Sequence, residues 1–105
     1  MNSKPFHEWN LHDAAVKHIH IHWEEKSCEI QITVFVASPV NQETTAISHT
    51  IHFSAVRAIS IPIDHPWGDS NFISTQKTSG KNEYMIEMQS GDVIRILAGG
   101  VSLDA

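Results

Sequence analysis

The sequence predicts one all-β domain of about seven antiparallel strands, built from hairpins and a C-terminal meander into a sandwich or half-barrel. Three observations carry this. Apolar residues recur with a period of two, turn residues fall at regular intervals, and no stretch shows helical periodicity. The length of 105 residues suits a single domain, 1–105, able to bury a core without disulfides.

The first hairpin is the clearest. Lys17, Ile19, Ile21 and Trp23 alternate with Val16, His18, His20 and His22. Cys28, Ile30, Ile32, Val34 and Val36 alternate with Glu29, Gln31, Thr33 and Phe35. A four-residue loop, Glu24-Glu25-Lys26-Ser27, would pair Trp23 with Cys28, Ile21 with Ile30 and Ile19 with Ile32. The polar stretch from Pro39 to Thr45 reads as a loop. A long strand then carries Ile47, His49, Ile51 and Phe53 on one face, with a bulge or bend at Ser54-Ala55. Alternation resumes through Ile59, Ile61 and Ile63, and Pro62 marks an edge or strand end.

The last third reads as a meander. Phe72–Thr78 and Asn82–Gln89 flank a Gly80-Lys81 turn, stacking Ile73, Thr75, Tyr84, Ile86 and Met88. A Ser90-Gly91-Asp92 loop then pairs Met88 with Ile94 and Ile86 with Ile96, and sets Glu87 opposite Arg95. Gly99-Gly100 is expected to end that strand, with Val101–Leu103 as a short last segment. One helical turn is expected over Asn10–Ala15, capped by Asn10. Met85, Val93, Leu97 and Phe35 fall on outer faces, so a cover is expected there: the N-terminal segment with Phe6 and Trp9, or a second subunit or partner.

Charge excludes one function class. Twelve acids face seven bases, for a net −5. The bases do not cluster, so nucleic acid is not an expected partner. No apolar run reaches membrane-span length. The N-terminus, Lys4 included, has no apolar signal region, and the chain has one cysteine. A cytoplasmic protein is therefore expected.

The chemistry-bearing residues are few. His18, His20 and His22 share a strand face, about 6.5–7 Å apart at alternate Cα atoms. They are metal-ligand candidates, with Glu29 as a nearby carboxylate opposite His22. The plainer reading is a polar strand face. A cupin-like metal-binding barrel, or an enzyme built on one, is the alternative function. Cupins place a His-x-His pair before a Glu, as His20, His22 and Glu25 stand here. The flanking glycines and downstream histidine of that family are missing. His49 is expected to be a buried neutral histidine with one hydrogen bond, and His52 faces the other way. His12-Asp13 is a weaker base-and-acid pair. Cys28 reads as a buried small hydrophobe. No serine-nucleophile motif, phosphate loop or metalloprotease helix is present. No cofactor is expected.

The Asp64–Asp69 loop is the most distinctive surface feature. Asp64, His65, Trp67 and Asp69 are partner-binding candidates, because tryptophan combines large contact area with a polar handle. The plainer expectation is that Trp67 folds back and plugs one end of the core.

Leu11-His12-Asp13, Phe53-Ser54-Ala55-Val56, Pro66-Trp67-Gly68 and Gln89-Ser90-Gly91-Asp92, in that order, resemble small bacterial β proteins of unassigned function. Some of these resemble immunity proteins of polymorphic toxin systems. The resemblance spans Leu11 to Ile96 and implies a cytosolic, non-enzymatic protein that binds a toxin domain. The leading expectation is thus a non-catalytic protein-interaction domain, with a protein partner or a homodimer.

Overall fold

The computed structural model describes residues 5–104. Lys4 and the rest of the extreme N-terminus lie outside them. Six strands form one antiparallel sheet: β1 Ala15–His22, β2 Ser27–Ala37, β3 Thr44–Ser60, β4 Ile73–Ser79, β5 Glu83–Met88 and β6 Val93–Asp104. Their order across the sheet is β1-β2-β3-β6-β5-β4. The all-β expectation holds. The strand number falls to six because β6 runs straight through Gly99-Gly100 instead of stopping there. The residues after Ser60 add no strand before β4.

Three bulges coil the sheet. Val16 and Ile19 face Ile32 and Ile30, so β1 carries an extra residue at Lys17. Equivalent shifts occur at Arg57 in β3 and Ser74 in β4. A bulge bends its strand and increases local twist. The edges therefore curl toward each other and meet at one corner. Ala15 bridges to Phe72, Ile73 N–H donates to the Ala14 carbonyl at 2.8 Å, and Val16 N–H donates to the Asn71 carbonyl at 2.7 Å. β1 and β4 form no ladder with each other beyond this bridge, so the molecule is a half-barrel closed at one corner.

The concave face holds the core. Ile30, Ile32, Ile51, Phe53, Ile73 and Ile96 are almost wholly buried. The N-terminal segment covers this face, and not the outer one as anticipated. Phe6 sits edge-on to Trp9, Phe53 and Tyr84, with ring centroids 5.1, 6.2 and 5.2 Å away. Buried Gln76 latches the segment by donating to the carbonyls of Phe6 and Trp9. The outer face keeps Leu97 and Phe35 exposed. Met85 is half-buried, and Arg95 Nη1 approaches its sulfur at 3.2 Å. The guanidinium stem thus shields part of that face.

Several expected registers move by two residues. Ile21 pairs with Cys28 and Ile19 with Ile30. Ile86 pairs with Ile94 and Tyr84 with Ile96. An even shift leaves every side chain on its face, so alternation cannot detect it. The expected Glu87–Arg95 pair is replaced by Lys77–Glu87 at 3.2 Å and Arg95–Glu83 at 3.8 Å. The odd shifts at the bulges do change faces. Val16 packs against the core instead of joining the histidines, and Gln76 replaces Thr75 inside. The helical turn lies earlier, as a single 3-10 turn over Phe6–Glu8. Around Asn10–Ala15 the chain makes a tight turn instead, with Ala14 N–H on the Leu11 carbonyl at 3.0 Å.

Candidate partner-binding site

The loop between β3 and β4 is organised from beneath by Asp92, a buried carboxylate in the β5–β6 loop. Ser90 Oγ donates to Asp92 Oδ2 at 2.8 Å. The N–H groups of Asp64 and His65 donate to Oδ1 at 2.8 and 3.1 Å. His65 Nδ1 lies 3.1 Å from Oδ2. Burial alone raises the Asp92 pKa. The Ser90 hydroxyl, the two backbone N–H groups and the His65 imidazole outweigh it and hold the carboxyl below its ordinary value. A buried acceptor with this many donors fixes the backbone around it. His65 accordingly holds a left-handed φ of 50°, which few non-glycine residues adopt.

Trp67 stands on this base. Its N–H donates to the Ser90 carbonyl at 2.9 Å. Its ring lies over Gly91: a Cβ there would come within 2.8 Å of Trp67 Cε3 and 2.7 Å of Pro66 Cγ. Gly91 also has φ 95°, so glycine is needed twice over. Yet Trp67 is 80 % exposed. The expectation of a core plug is overturned, because the fixed turn directs the indole outward. Asp64 and Asp69 flank it on the exposed surface, and His65 Nε2 lies 3.7 Å from Asp69 Oδ1. All four candidates, Asp64, His65, Trp67 and Asp69, thus lie in one loop whose backbone is hydrogen-bonded to the β5–β6 loop at Asp64, His65 and Trp67. Sequence reading missed Asp92 and Ser90 as its organisers. The Ser90-Gly91-Asp92 turn was visible, but not what it would support.

The histidine face is arranged differently from the expectation. Glu29 pairs with His20 in the ladder, not with His22. Its side chain nevertheless reaches both His22 Nε2 at 3.2 Å and His52 Nδ1 at 3.0 Å. His52 Nε2 lies 2.8 Å from Asp104 Oδ2. The imidazoles of His18 and His20 are 6.0 Å apart. Among the described residues no group of three or more His, Cys, Asp or Glu is placed to hold a metal ion. Glu25 lies in the exposed hairpin turn. The arrangement is a string of imidazole–carboxylate contacts across β1, β2, β3 and β6.

Other singled-out residues resolve individually. Cys28 is buried, and burial, then the negative charge of Glu29, pushes its thiol pKa up. It is a poor nucleophile. His12 Nε2 is 3.5 Å from Asp13 Oδ2, and its Nδ1 is 2.7 Å from the Ser74 carbonyl oxygen, both side chains exposed. His49 is half-buried, and its Nδ1 is buried without a partner, unlike the satisfied histidine expected.

A second exposed tryptophan was not foreseen as a surface feature. The two-residue register shift places Trp23 in the β1–β2 turn, 82 % exposed. It borders a cleft of about 330 Å³ with Ile21, Val56, Ile59 and Ile61, flanked by Lys26 and Arg57.

No helix among the described residues is long and apolar enough to cross a membrane. No family model, curated protein or solved structure matches the chain.

Proposed function

We propose that this chain is a non-catalytic protein-interaction domain whose principal anchor is Trp67. One observation carries the reading: a tryptophan that is 80 % exposed stands on backbone held by a buried, multiply hydrogen-bonded carboxylate. Exposing a tryptophan to water is unfavourable. Fixing it in place reduces the ordering entropy lost when a partner covers it. Asp64 and Asp69 beside it, and the chain's net −5, suit a basic partner surface. The resemblance to immunity proteins supports a toxin domain as that partner and the cytoplasm as the place of encounter.

The test is capture of a partner from the native host by the tagged chain, alongside Trp67→Ala. One stoichiometric protein is expected with the wild type. Binding should weaken by at least about 2 kcal/mol in the variant, roughly thirtyfold in Kd. Equal binding by a folded Trp67→Ala chain removes Trp67 as the anchor. A turnover catalysed by the purified chain removes the non-catalytic reading.

A further inference from the structure

We infer that the second half of β3 is an open docking edge for an extended peptide strand of a partner, with apolar side chains at alternate positions and an acidic residue. The inference rests on the interaction-domain reading but uses a different surface from the Trp67 loop.

Three observations converge. First, β3 outruns its neighbour. The β2–β3 ladder ends at Cys28–Phe53, whereas β3 stays paired to β6 as far as Ser60. From Ser54 onward one side of β3 has no strand partner. The β1–β2 turn makes one backbone hydrogen bond to it, from Val56 N–H to the Lys26 carbonyl at 2.7 Å. Arg57 to Ser60 remain a strand edge, which is a template for backbone pairing.

Second, the space beside that edge is an apolar cleft. Ile21, Trp23, Val56, Ile59 and Ile61 line it, and its volume is about 330 Å³. Apolar side chains of an added strand would bury here. In strands successive residues point to opposite faces, so one residue in two enters the cleft.

Third, two cations border the cleft without an ion pair. Among the described residues Lys77 and Arg95 are paired with Glu87 and Glu83, while Lys26 and Arg57, like Lys17 and Lys81 elsewhere, have no carboxylate ion pair; of these four, Lys26 and Arg57 line the cleft. Glu24 and Glu25 occupy the same turn as Lys26, and His22 also lines the cleft. In a chain of net −5, two free cations beside an apolar cleft select an acidic residue in the incoming strand.

The experiment is selection of random heptapeptides displayed on phage against the full chain. Enriched peptides are then synthesised, and Kd is read by fluorescence anisotropy. Enriched sequences should alternate apolar residues and carry Asp or Glu. Affinity should fall at least tenfold in the Lys26→Gln/Arg57→Gln chain and stay unchanged in Trp67→Ala. Methylating the backbone nitrogens of one alternate set should abolish binding, while the other set is tolerated, because only one set faces the β3 edge. No enrichment, or tolerance of both methylated sets, overturns the inference. So does unchanged affinity in the double variant. Peptides lost in Trp67→Ala but kept in the double variant also overturn it, while leaving the Trp67 reading intact. Concentration-dependent dimers abolished by the same two cation substitutions would assign the edge to a second copy and end the peptide reading.

Discussion

Asp92 shows how one residue ties stability to a surface. Its folded pKa lies below its ordinary value. A carboxyl of this kind stabilises the fold above its unfolded pKa, and the contribution fades as pH falls through that value to the folded one. Denaturation midpoints of the wild type should therefore fall from about pH 5 downward, while Asp92→Asn starts lower and shows a flatter acid limb. Parallel profiles for the two chains would remove the Asp92 charge as the organiser of the loop. Cys28 gives a second residue-level expectation. Its buried, raised thiol should resist an aromatic disulfide reagent in the native chain and react fully in denaturing urea. Rapid native reaction would contradict its burial.

Within elements, bulges and close approaches decide which side chain goes where. Between Phe53 and Val56, β3 changes face together with its partner stretch Val101–Ala98, since all four residues contribute to the core. Ala55 makes this possible with a left-handed φ of 50°. A Cβ on Gly99 would stand 2.9 Å from the Ala55 Cβ. Gly99→Ala should thus destabilise by roughly 1–3 kcal/mol through overpacking. Ala55→Gly in the same chain should recover much of that by removing the opposing methyl, which a double-mutant cycle reads directly. Additive effects would show that the two do not meet. The N-terminal latch is an element-level contact too. Gln76→Ala leaves buried carbonyls of Phe6 and Trp9 without their donor. A loss of about 1–3 kcal/mol in urea denaturation is expected, and Phe6→Ala should lose about 3–5 kcal/mol. An unchanged midpoint in either would detach the segment from the core.

For the molecule as a whole, the closed corner is what turns a bent sheet into a half-barrel. Asp13 N–H donates to the Ile73 carbonyl at 2.9 Å, and Ile73 and Val16 donate across the same seam. In hydrogen exchange these amides should be protected nearly as well as the inner strands, because opening them requires parting two strands. Exchange at loop rates would mean an open sheet in solution. The corner also separates the surfaces by role. Closed, it roofs the concave core with Phe6, Trp9 and Leu11. Elsewhere β3 is left longer than β2, which creates the edge and cleft beside Trp23.

The sequence by itself determined the all-β class and the faces of most core residues. Ile30, Ile32, Ile51, Phe53, Ile86 and Ile96 all lie where alternation put them, buried on one side. It also marked the Asp64–Asp69 loop, because breakers and an aromatic stand together there. Registers were open to error by two, since a two-residue slip preserves every face. The β3 irregularity was expected at Ser54-Ala55, where Ala55 does turn left-handed, with the register shift itself at Arg57; only the tertiary structure decided that bulges also fall at Lys17 and Ser74. Only the structure, too, paired Asp92 with a loop twenty-seven residues away and turned Trp67 outward. Periodicity reports the neighbours of a residue along its own strand. The edge, the cleft and the buried carboxylate depend on neighbours brought in from other strands, and those follow from how the bent sheet closes.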